Sequence, residues 1–356
     1  MAKTEYRESV ENRCFERSEA ILKGLPKYMG GYYRKLASQD RSPVSIYTYL
    51  QRLDSFFSYL GKDLGKNRKE VSEEDLGRLS PKDIEEYLVF LKTDPMRHRK
   101  NREKFRSGQS LNNYLSALRS FFKYAKRNGI IHSDPTFEIE GARKKKREDV
   151  VHIDKEEEPE FLASLRTGAG LTKKENEFRT ELSALRDESI CMTILLTGVR
   201  VSELAGIDVD DVNFNLHEIS VYRKEGKQSK VYMSDELEDL LKEYAERRTK
   251  SFSKTKEKAL FVVTKGKYKG MRLSVRSIQN IVKKYARAAG VSNAGEISPH
   301  RLRATFAMDM IEATGDLSLT QQALSHESPS TTSVYIGKRE RELKMNRNVL
   351  TGGKAE

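Results

Sequence analysis

Apolar residues recur at helical spacing in three stretches between residues 40 and 135. The first stretch follows Ser42-Pro43, an N-cap residue with proline in the first turn, and stops at Gly61. The second follows Ser80-Pro81 in the same way, and the third runs from Ser110 to Lys126. The apolar stripes are Ile46, Leu50, Leu53, Phe57 and Leu60; Ile84, Leu88 and Leu91; and Leu111, Leu115, Leu118, Phe122 and Ala125. One apolar face on each helix predicts a small helical bundle.

Four aromatic residues of these helices are expected to pack in or near the core of the bundle rather than to stack on bases. They are Phe56, Tyr59, Phe121 and Tyr124.

The second half of the chain mixes helices with short strands. A helix is predicted over residues 176–196, and the apolar run around Cys191 predicts that this cysteine is buried. Strand-like pieces at Glu218–Tyr222 and Lys230–Met233 flank Lys224-Glu225-Gly226-Lys227, which has the composition of a hairpin turn. Further helices are predicted at Asp235–Arg248, Val275–Ala289, His300–Ala313, Leu319–Leu324 and around Thr331–Tyr335. The predicted fold class is mainly α, with a small β-sheet in the second domain.

These patterns divide the chain into five parts. Residues 1–40 are polar with weak periodicity and are predicted to be an N-terminal extension, whereas residues 41–140 carry the helical bundle. A basic run without an apolar pattern predicts a linker over residues 141–150. Residues 151–340 form the second domain, and residues 341–356 a polar tail.

Charge indicates what kind of partner this helical protein binds. The 356 residues include 66 Lys+Arg against 53 Asp+Glu, a formal net charge of +13. Lysine or arginine placed on a phosphate releases condensed counterions, so this charge favours nucleic acid, although charge alone leaves a merely well-solvated basic protein open. Basic runs within residues 92–107 and after Gly141 concentrate the charge. The candidate phosphate contacts are Arg97, Arg99, Lys100, Arg102, Lys104, Arg143, Lys144 and Lys145.

Other function classes are disfavoured. Cys14 and Cys191 stand alone, without the spacing of metal ligands, which argues against a disulfide framework and a cysteine-rich zinc site. No apolar stretch approaches the roughly 20 residues that a membrane span needs, and the charged N-terminus lacks the apolar core of a signal peptide. We expect a cytoplasmic, nucleoid-associated protein that does not act at a membrane.

Four separated motifs carry the candidate chemistry. They are Thr197-Gly198-Val199-Arg200-Val201-Ser202-Glu203-Leu204, the turn lysine Lys224, Pro299-His300-Arg301-Leu302-Arg303, and Leu324-Ser325-His326 with Tyr335 nine residues further on. Each motif is weak alone, because an arginine after a buried helix is usually a capping residue and most of the 16 tyrosines are expected to be structural. Their order and spacing together make a chance occurrence improbable.

In this combination the sequence resembles the tyrosine recombinases, the phage integrase family with its Xer- and Cre-like site-specific recombinases. The resemblance covers about residues 40–340 and is strongest at TGVRVSEL, SPHRLRATFA and LSHESPSTTSVY. It implies an N-terminal helical core-binding domain of the SAM-like type and a mixed α/β catalytic domain, which close as a C-shaped clamp on duplex DNA. It also implies a homotetramer on synapsed recombination sites that exchanges strands through a Holliday junction.

The resemblance also assigns catalytic roles. Tyr335 would be the nucleophile that forms a 3′-phosphotyrosyl bond, with Arg200 and Arg303 on the nonbridging oxygens. His300 would act in proton transfer, and His326 would position the scissile phosphate.

A lysine of the hairpin would protonate the leaving 5′-oxygen. Lys224 aligns best, but the turn departs from the Gly-Lys-Gly form of Xer relatives, so Lys227 and Lys230 stay open as alternatives. Ala304 stands where Xer-like enzymes often carry histidine, outside the catalytic set. We expect Glu203 to orient Arg200 or to pack structurally.

The residue types suit this chemistry. Guanidiniums present paired donors to the extra negative charge of a phosphorane-like transition state, and a preorganised donor typically contributes about 3–4 kcal/mol. A phenol with a pKa near ~10 is scarcely ionised at pH 7, so neighbouring cations and a histidine base favour its attack. The covalent link conserves the phosphodiester energy, and no carboxylate pair is needed for metal ions. We therefore expect no cofactor, no metal and activity in EDTA.

Several alternatives remain. A type IB topoisomerase or telomere resolvase shares this chemistry, although the compact core-binding domain and the Xer-like motifs argue against both. A second alternative is a DNA-binding accessory protein without catalysis. The N-terminal extension, the lysine-rich character and the nonstandard hairpin favour the integrase of a mobile element, acting in DNA integration or transposition. The alternative role is that of a Xer-type resolvase of chromosome or plasmid dimers, and the target DNA sequence cannot be read from the chain.

Overall fold

The computed structural model describes residues 5–93, 106–143, 151–223 and 228–324. These residues form two compact units: an amino-terminal unit up to residue 143 and a carboxyl-terminal unit from residue 151. The helices of the amino-terminal unit are α1 (Glu5–Lys23), α2 (Met29–Ser38), α3 (Pro43–Asp63), α4 (Glu73–Gly77), α5 (Pro81–Thr93) and α6 (Gly108–Arg127). The helices of the carboxyl-terminal unit are α7 (Glu158–Thr167), α8 (Lys173–Glu177), α9 (Glu181–Thr197), α10 (Val201–Gly206), α11 (Asp235–Ser251), α12 (Val275–Ala288), α13 (Pro299–Thr314) and α14 (Leu317–Leu324). Its strands are β1 (Val212–Asn213), β2 (Glu218–Tyr222) and β3 (Gln228–Tyr232).

Side-chain caps fix where the predicted bundle helices begin. At the start of α3 the Oγ of Ser42 accepts a hydrogen bond from the backbone N of Ser45 at 3.3 Å, and Pro43 occupies the first turn. The helix continues past Gly61, where the sequence pattern predicts its end. This glycine is needed for close approach instead, because a Cβ there would lie 2.9 Å from the carbonyl oxygen of Lys66.

Aromatic rings form the centre of the amino-terminal unit. The ring centroids of Phe57 and Phe121 are 5.7 Å apart, and all four phenylalanines at positions 56, 57, 121 and 122 are buried. Tyr59 and Tyr124 are partly buried against this core. The prediction that these aromatic residues pack in or near the core is confirmed.

Helices α1 and α2 also belong to this unit. Met29, Tyr32 and Leu36 of α2 are fully buried, and α1 packs along α3. The sequence pattern assigns residues 1–40 to an extension because α1 is polar, with only Ser18 buried, and shows no clear apolar stripe.

Helix α9 is the central helix of the carboxyl-terminal unit, and α7, α10, α11 and α13 pack against it. The sequence predicts one helix over residues 176–196, whereas the structure has the separate helices α8 and α9. The interruption arises from a local cap, since the Oγ of Ser183 accepts a hydrogen bond from the backbone N of Thr180 at 2.8 Å. Cys191 of α9 is fully buried, as predicted.

The strands of the carboxyl-terminal unit form an antiparallel sheet in the order β1-β2-β3. Ile219 lies opposite Val231 on the buried face, and Ser220 lies opposite Lys230 on the other face. Strand β2 also contacts α10. The predicted fold class, mainly α with a small sheet in the second domain, is confirmed. Over the described ranges of the chain, no helix is both long and apolar enough to cross a bilayer.

Candidate active site

Arg200 is held at the start of α10 by the carboxylate of Glu203. The Oε2 of Glu203 accepts a hydrogen bond from the backbone N of Arg200 at 2.9 Å, and its Oε1 accepts one from Nη1 of the same arginine at 2.9 Å. The side chain of Glu203 is 4% exposed, whereas that of Arg200 is 41% exposed. A buried carboxylate therefore orients a guanidinium that stays accessible to a ligand. Of the two roles expected for Glu203, orienting Arg200 or packing structurally, these hydrogen bonds show the first.

Gly198 makes the turn from α9 into Arg200 possible. Its φ of +62° lies in the left-handed region that favours glycine. The site is also crowded, because a Cβ at this position would lie 2.5 Å from Cδ1 of Phe306 and 2.9 Å from Cδ2 of Leu324. The glycine of the Thr197-Gly198-Val199-Arg200 motif thus allows α9 to end directly against α13 and α14.

Arg303 of α13 is almost completely buried, with 6% of its surface exposed. Its Nη2 donates to the carbonyl oxygen of Leu324 at 2.6 Å, and its Nη1 donates to the carbonyl oxygen of Gly198. The guanidinium therefore joins the end of α9 to the end of α14. Its positive charge lies in a region from which water is largely excluded, where electrostatic interactions are stronger than in bulk solvent.

His300 lies in the first turn of α13 and is exposed at the surface of the unit. Partial desolvation of the imidazole lowers the pKa of His300, and the positive charges of Arg301, Arg303 and Arg200 lower that pKa further. The neutral imidazole, which can accept a proton, is therefore favoured at pH 7. The structure brings Arg200, His300 and Arg303 together, although more than 90 residues separate the first from the second in the sequence.

The other predicted catalytic residues, Lys224, His326 and Tyr335, lie outside the described residues. The same is true of most predicted phosphate contacts: Arg97, Arg99, Lys100, Arg102, Lys104, Lys144 and Lys145. Arg143 is described and is exposed at the end of the amino-terminal unit.

Lys230, an alternative to Lys224 as the proton donor, lies on β3. Its Nζ forms an ion pair with Oε1 of Glu218 at 2.7 Å, and this hydrogen bond raises the pKa of Lys230. Lys230 thus already has a carboxylate partner on the sheet face opposite the buried Ile219 and Val231.

Sequence reasoning missed Arg223, which directly follows β2 and is half-buried. Burial lowers the pKa of Arg223, while the charge of Glu203 raises that pKa and the charge of Arg200 lowers it. Arg223 is therefore close enough to both residues for their charges to interact. The local sequence gives one weak signal, namely that Arg223 immediately precedes the predicted catalytic Lys224.

Sequence reasoning also missed a group of cations in the amino-terminal unit, which we term the basic cluster: Lys35, Arg41, Lys123 and Arg127. Burial and then the charges of the other three lower the pKa of Lys35. The Cζ of Arg41 is 5.0 Å from the ring centroid of Tyr49. In the part of the chain that the structure describes, no carboxylate forms an ion pair with these four residues. They are dispersed in sequence and meet only in the folded unit.

Comparison with known proteins gives matches along most of the chain. The phage integrase family matches residues 169–342, and the N-terminal SAM-like domain of phage integrases matches residues 30–129. Tyrosine recombinase XerS of Streptococcus equi subsp. zooepidemicus is 29% identical over 331 residues, which cover 87% of this chain and 91% of that protein.

Two solved structures show the same fold. The XerH site-specific recombinase in a post-cleavage complex with its palindromic difH substrate has a TM-score of 0.64 at 21% identity, covering 88% of this chain and 82% of that chain. The lambda integrase tetramer bound to a Holliday junction has a TM-score of 0.60 at 15% identity, covering 86% of this chain and 76% of that chain.

Proposed function

The chain belongs to the phage integrase family of tyrosine recombinases, and from this premise we propose that it cleaves and rejoins DNA at specific sites through a 3′-phosphotyrosyl intermediate on Tyr335. The observation that carries the proposal is the convergence of Arg200, His300 and Arg303 at one end of α9. Two guanidiniums beside an imidazole with a lowered pKa are suited to a phosphodiester that must be attacked by a phenol.

The two arginines contribute differently. Arg200 is oriented by Glu203 and accessible, so it donates N–H groups to the nonbridging oxygens of the scissile phosphate. Two N–H groups of Arg303 donate to the carbonyl oxygens of Gly198 and Leu324, so this arginine holds the ends of α9 and α14 together at the site and adds positive charge at short range. Both effects stabilise the transition state more than the ground state, because negative charge on the oxygens increases during attack.

Two proton transfers accompany the cleavage step. His300 accepts the phenolic proton as the Oη of Tyr335 attacks phosphorus, and the bond between phosphorus and the 5′-oxygen breaks. A lysine of the hairpin turn gives a proton to that 5′-oxygen, which leaves as a hydroxyl. The ion pair between Lys230 and Glu218 favours Lys224, with Lys227 as the alternative, for this role. Religation is the reverse sequence and needs no ATP.

Duplex DNA is the proposed partner of both units. The basic cluster, together with the basic runs around residues 92–107 and 143–147, supplies positive charge for the phosphates. A homotetramer on two synapsed sites is the proposed assembly, since the structurally similar lambda integrase forms a tetramer on a Holliday junction. A protein with these partners acts at the nucleoid in the cytoplasm.

A nicked substrate that traps the covalent intermediate tests the proposal. Fragments of the DNA that flanks the gene are incubated with the protein in EDTA, and the adduct is detected by denaturing electrophoresis. We expect an adduct with the wild-type protein and none with Tyr335→Phe, which should bind DNA normally. Tyr232→Phe is the matched control, because Tyr232 is 71% exposed on β3. Tight binding without an adduct would support the non-catalytic accessory protein instead.

The positions of the adducts separate two biological roles. The integrase of a mobile element, favoured by the nonstandard hairpin and the lysine-rich sequence, should form adducts at the ends of that element. A second role, resolution of chromosome or plasmid dimers, gains support from the similarity to XerS over most of both chains. This role predicts adducts at one chromosomal or plasmid locus.

A further inference from the structure

We propose that Arg223 is a third guanidinium of the active site and binds a phosphodiester of the DNA strand that is cleaved. This inference deepens the proposed function and rests on it. The phosphodiester is either the scissile one or its immediate neighbour, since both present the same nonbridging oxygens.

The sheet fixes the position of Arg223. Strand β2 ends at Tyr222, which is paired with Gln228 of β3, and Arg223 is the next residue along the chain. Strand β2 contacts α10, the helix that begins directly after Arg200. The Nε and Nη1 atoms of Arg223 are removed from solvent. Its guanidinium is thus placed by regular secondary structure, as a preorganised donor has to be.

The carboxylate of Glu203 interacts with the charges of two guanidiniums, those of Arg200 and Arg223. Each oxygen of the Glu203 carboxylate already accepts one hydrogen bond from Arg200, Oε2 from the backbone N and Oε1 from Nη1, so neither oxygen depends on a second arginine for a partner. Arg223 nevertheless lies within the electrostatic range of both Glu203 and Arg200. A purely structural counterion for Glu203 would duplicate what Arg200 already provides.

The local charge balance points to an anionic ligand. Glu203 contributes negative charge near Arg223, Arg200 contributes positive charge there, and the charges that act most on His300 are the positive ones of three arginines. Like charges held together in a partly desolvated site repel, and a bound phosphate relieves that repulsion. The planar fork of donors on a guanidinium also matches the oxygens of a phosphate better than an ammonium group does.

Single-turnover adduct formation by Arg223→Gln on three duplexes tests the inference. One duplex has only native phosphates, the second has a neutral methylphosphonate at the scissile position, and the third has a methylphosphonate at the neighbouring position. On native DNA we expect the variant to be slower than wild type by about 100-fold, roughly the contribution of one preorganised donor. The ratio of wild-type to variant rates should fall close to unity on the duplex whose contacted oxygen has been neutralised, which also identifies the phosphate.

An equal deficit on all three duplexes, or no deficit on native DNA, would overturn the inference. The first result would mean that Arg223 acts only on the protein structure, because a structural defect does not depend on the charge of one phosphate. Arg247→Gln is the matched control and should match wild type on every duplex. Arg247 is a partly exposed arginine of α11 whose ion pairs are with Glu181 and Glu243.

Two further measurements keep the outcomes distinct. If urea unfolding shows that Arg223→Gln is not folded, Arg223→Lys is assayed on the same duplexes, with the same dependence on the neutralised phosphate expected. If the wild-type protein itself forms no adduct on any DNA, the proposed function fails. A wild-type adduct with an unaffected Arg223→Gln variant contradicts only the role of Arg223.

Discussion

Replacing Glu203 by glutamine tests how the protein positions Arg200. The exchange preserves the volume of a buried side chain but removes its charge and one of its two acceptor oxygens. Since the carboxylate accepts from both the backbone N and the Nη1 of Arg200, the amide group of glutamine can satisfy only one of these donors. The guanidinium is then no longer held in its orientation.

The magnitude follows from the interaction that the exchange removes. A hydrogen bond to a charged group contributes about 1.5–3 kcal/mol. Because the side chain of Arg200 is 41% exposed, solvent screening places the effect at the lower end of that range. A loss of about 1.4 kcal/mol from the transition state corresponds to cleavage that is roughly tenfold slower. The helix cap also weakens, so the free energy of unfolding should fall by about 1 kcal/mol.

Single-turnover adduct formation at saturating protein measures the first effect, and urea unfolding measures the second. DNA affinity should change less than the cleavage rate, because the guanidinium is needed most when charge develops on the phosphate. Asp211→Asn is the matched control, since Asp211 accepts from the backbone N of Asp208 at 2.9 Å in a similar cap. A Glu203→Gln variant that cleaves at the wild-type rate would refute the positioning role.

Three further predictions concern the turn, the imidazole and the basic cluster. Gly198→Ala should lower the free energy of unfolding in urea by more than the roughly 1–3 kcal/mol that left-handed strain alone costs, and it should abolish adduct formation, because a clash adds to the strain. Gly290→Ala, with a similar φ of +68° and open space around it, should lose only the strain contribution, and equal losses in the two variants would contradict this account. In NMR spectra the imidazole of His300 should titrate with a pKa below its ordinary value of 6.5, and a midpoint at or above 6.5 would refute this expectation. The free energy of unfolding should decrease as the pH falls below 6.5, because the unfolded chain then binds more protons than the folded chain. Replacing Lys35 and Lys123 by glutamine should make the plot of the logarithm of the DNA-binding constant against the logarithm of the salt concentration less steep, by roughly 0.9 for each phosphate that the protein no longer neutralises. An unchanged slope would mean that the DNA does not contact the basic cluster.

Local signals predict the helices well where caps and apolar stripes coincide. Helices α3 and α5 follow this rule, since each combines a serine and a proline with a clear stripe, whereas the predicted start of α6 at Ser110 misses the cap that Ser107 provides. The sequence pattern does not predict the separation of α8 from α9, because the apolar pattern continues across Thr180. The cap at Thr180 depends on one short-range hydrogen bond. Helix α1 is hidden for the opposite reason, since it is a polar helix that packs along α3 without a strong stripe.

Local sequence patterns likewise predict some residues of the candidate site and miss others. Arg200, His300 and Arg303 are recognisable from the order of their motifs, because each motif is local in sequence. The role of Arg223 depends on how β2 packs against α10, which no local pattern records. The pairing of Lys230 with Glu218 likewise follows from the register of two strands, so the choice among the hairpin lysines could not be narrowed before the sheet was known.

The two carbonyl contacts of Arg303 change how substitutions at this position should be interpreted. They connect residues 105 and 21 positions away along the chain, at Gly198 and Leu324. Lysine would conserve the charge, but a single ammonium group does not reproduce the fixed fork with which a guanidinium reaches two carbonyl groups. Arg303→Lys would therefore release the end of α14, which in sequence directly precedes Ser325 and His326. A fall in activity in such a variant would reflect both a changed position of the end of α14 relative to α9 and changed electrostatics in catalysis. Lysine therefore cannot replace arginine at this position merely because it carries the same charge.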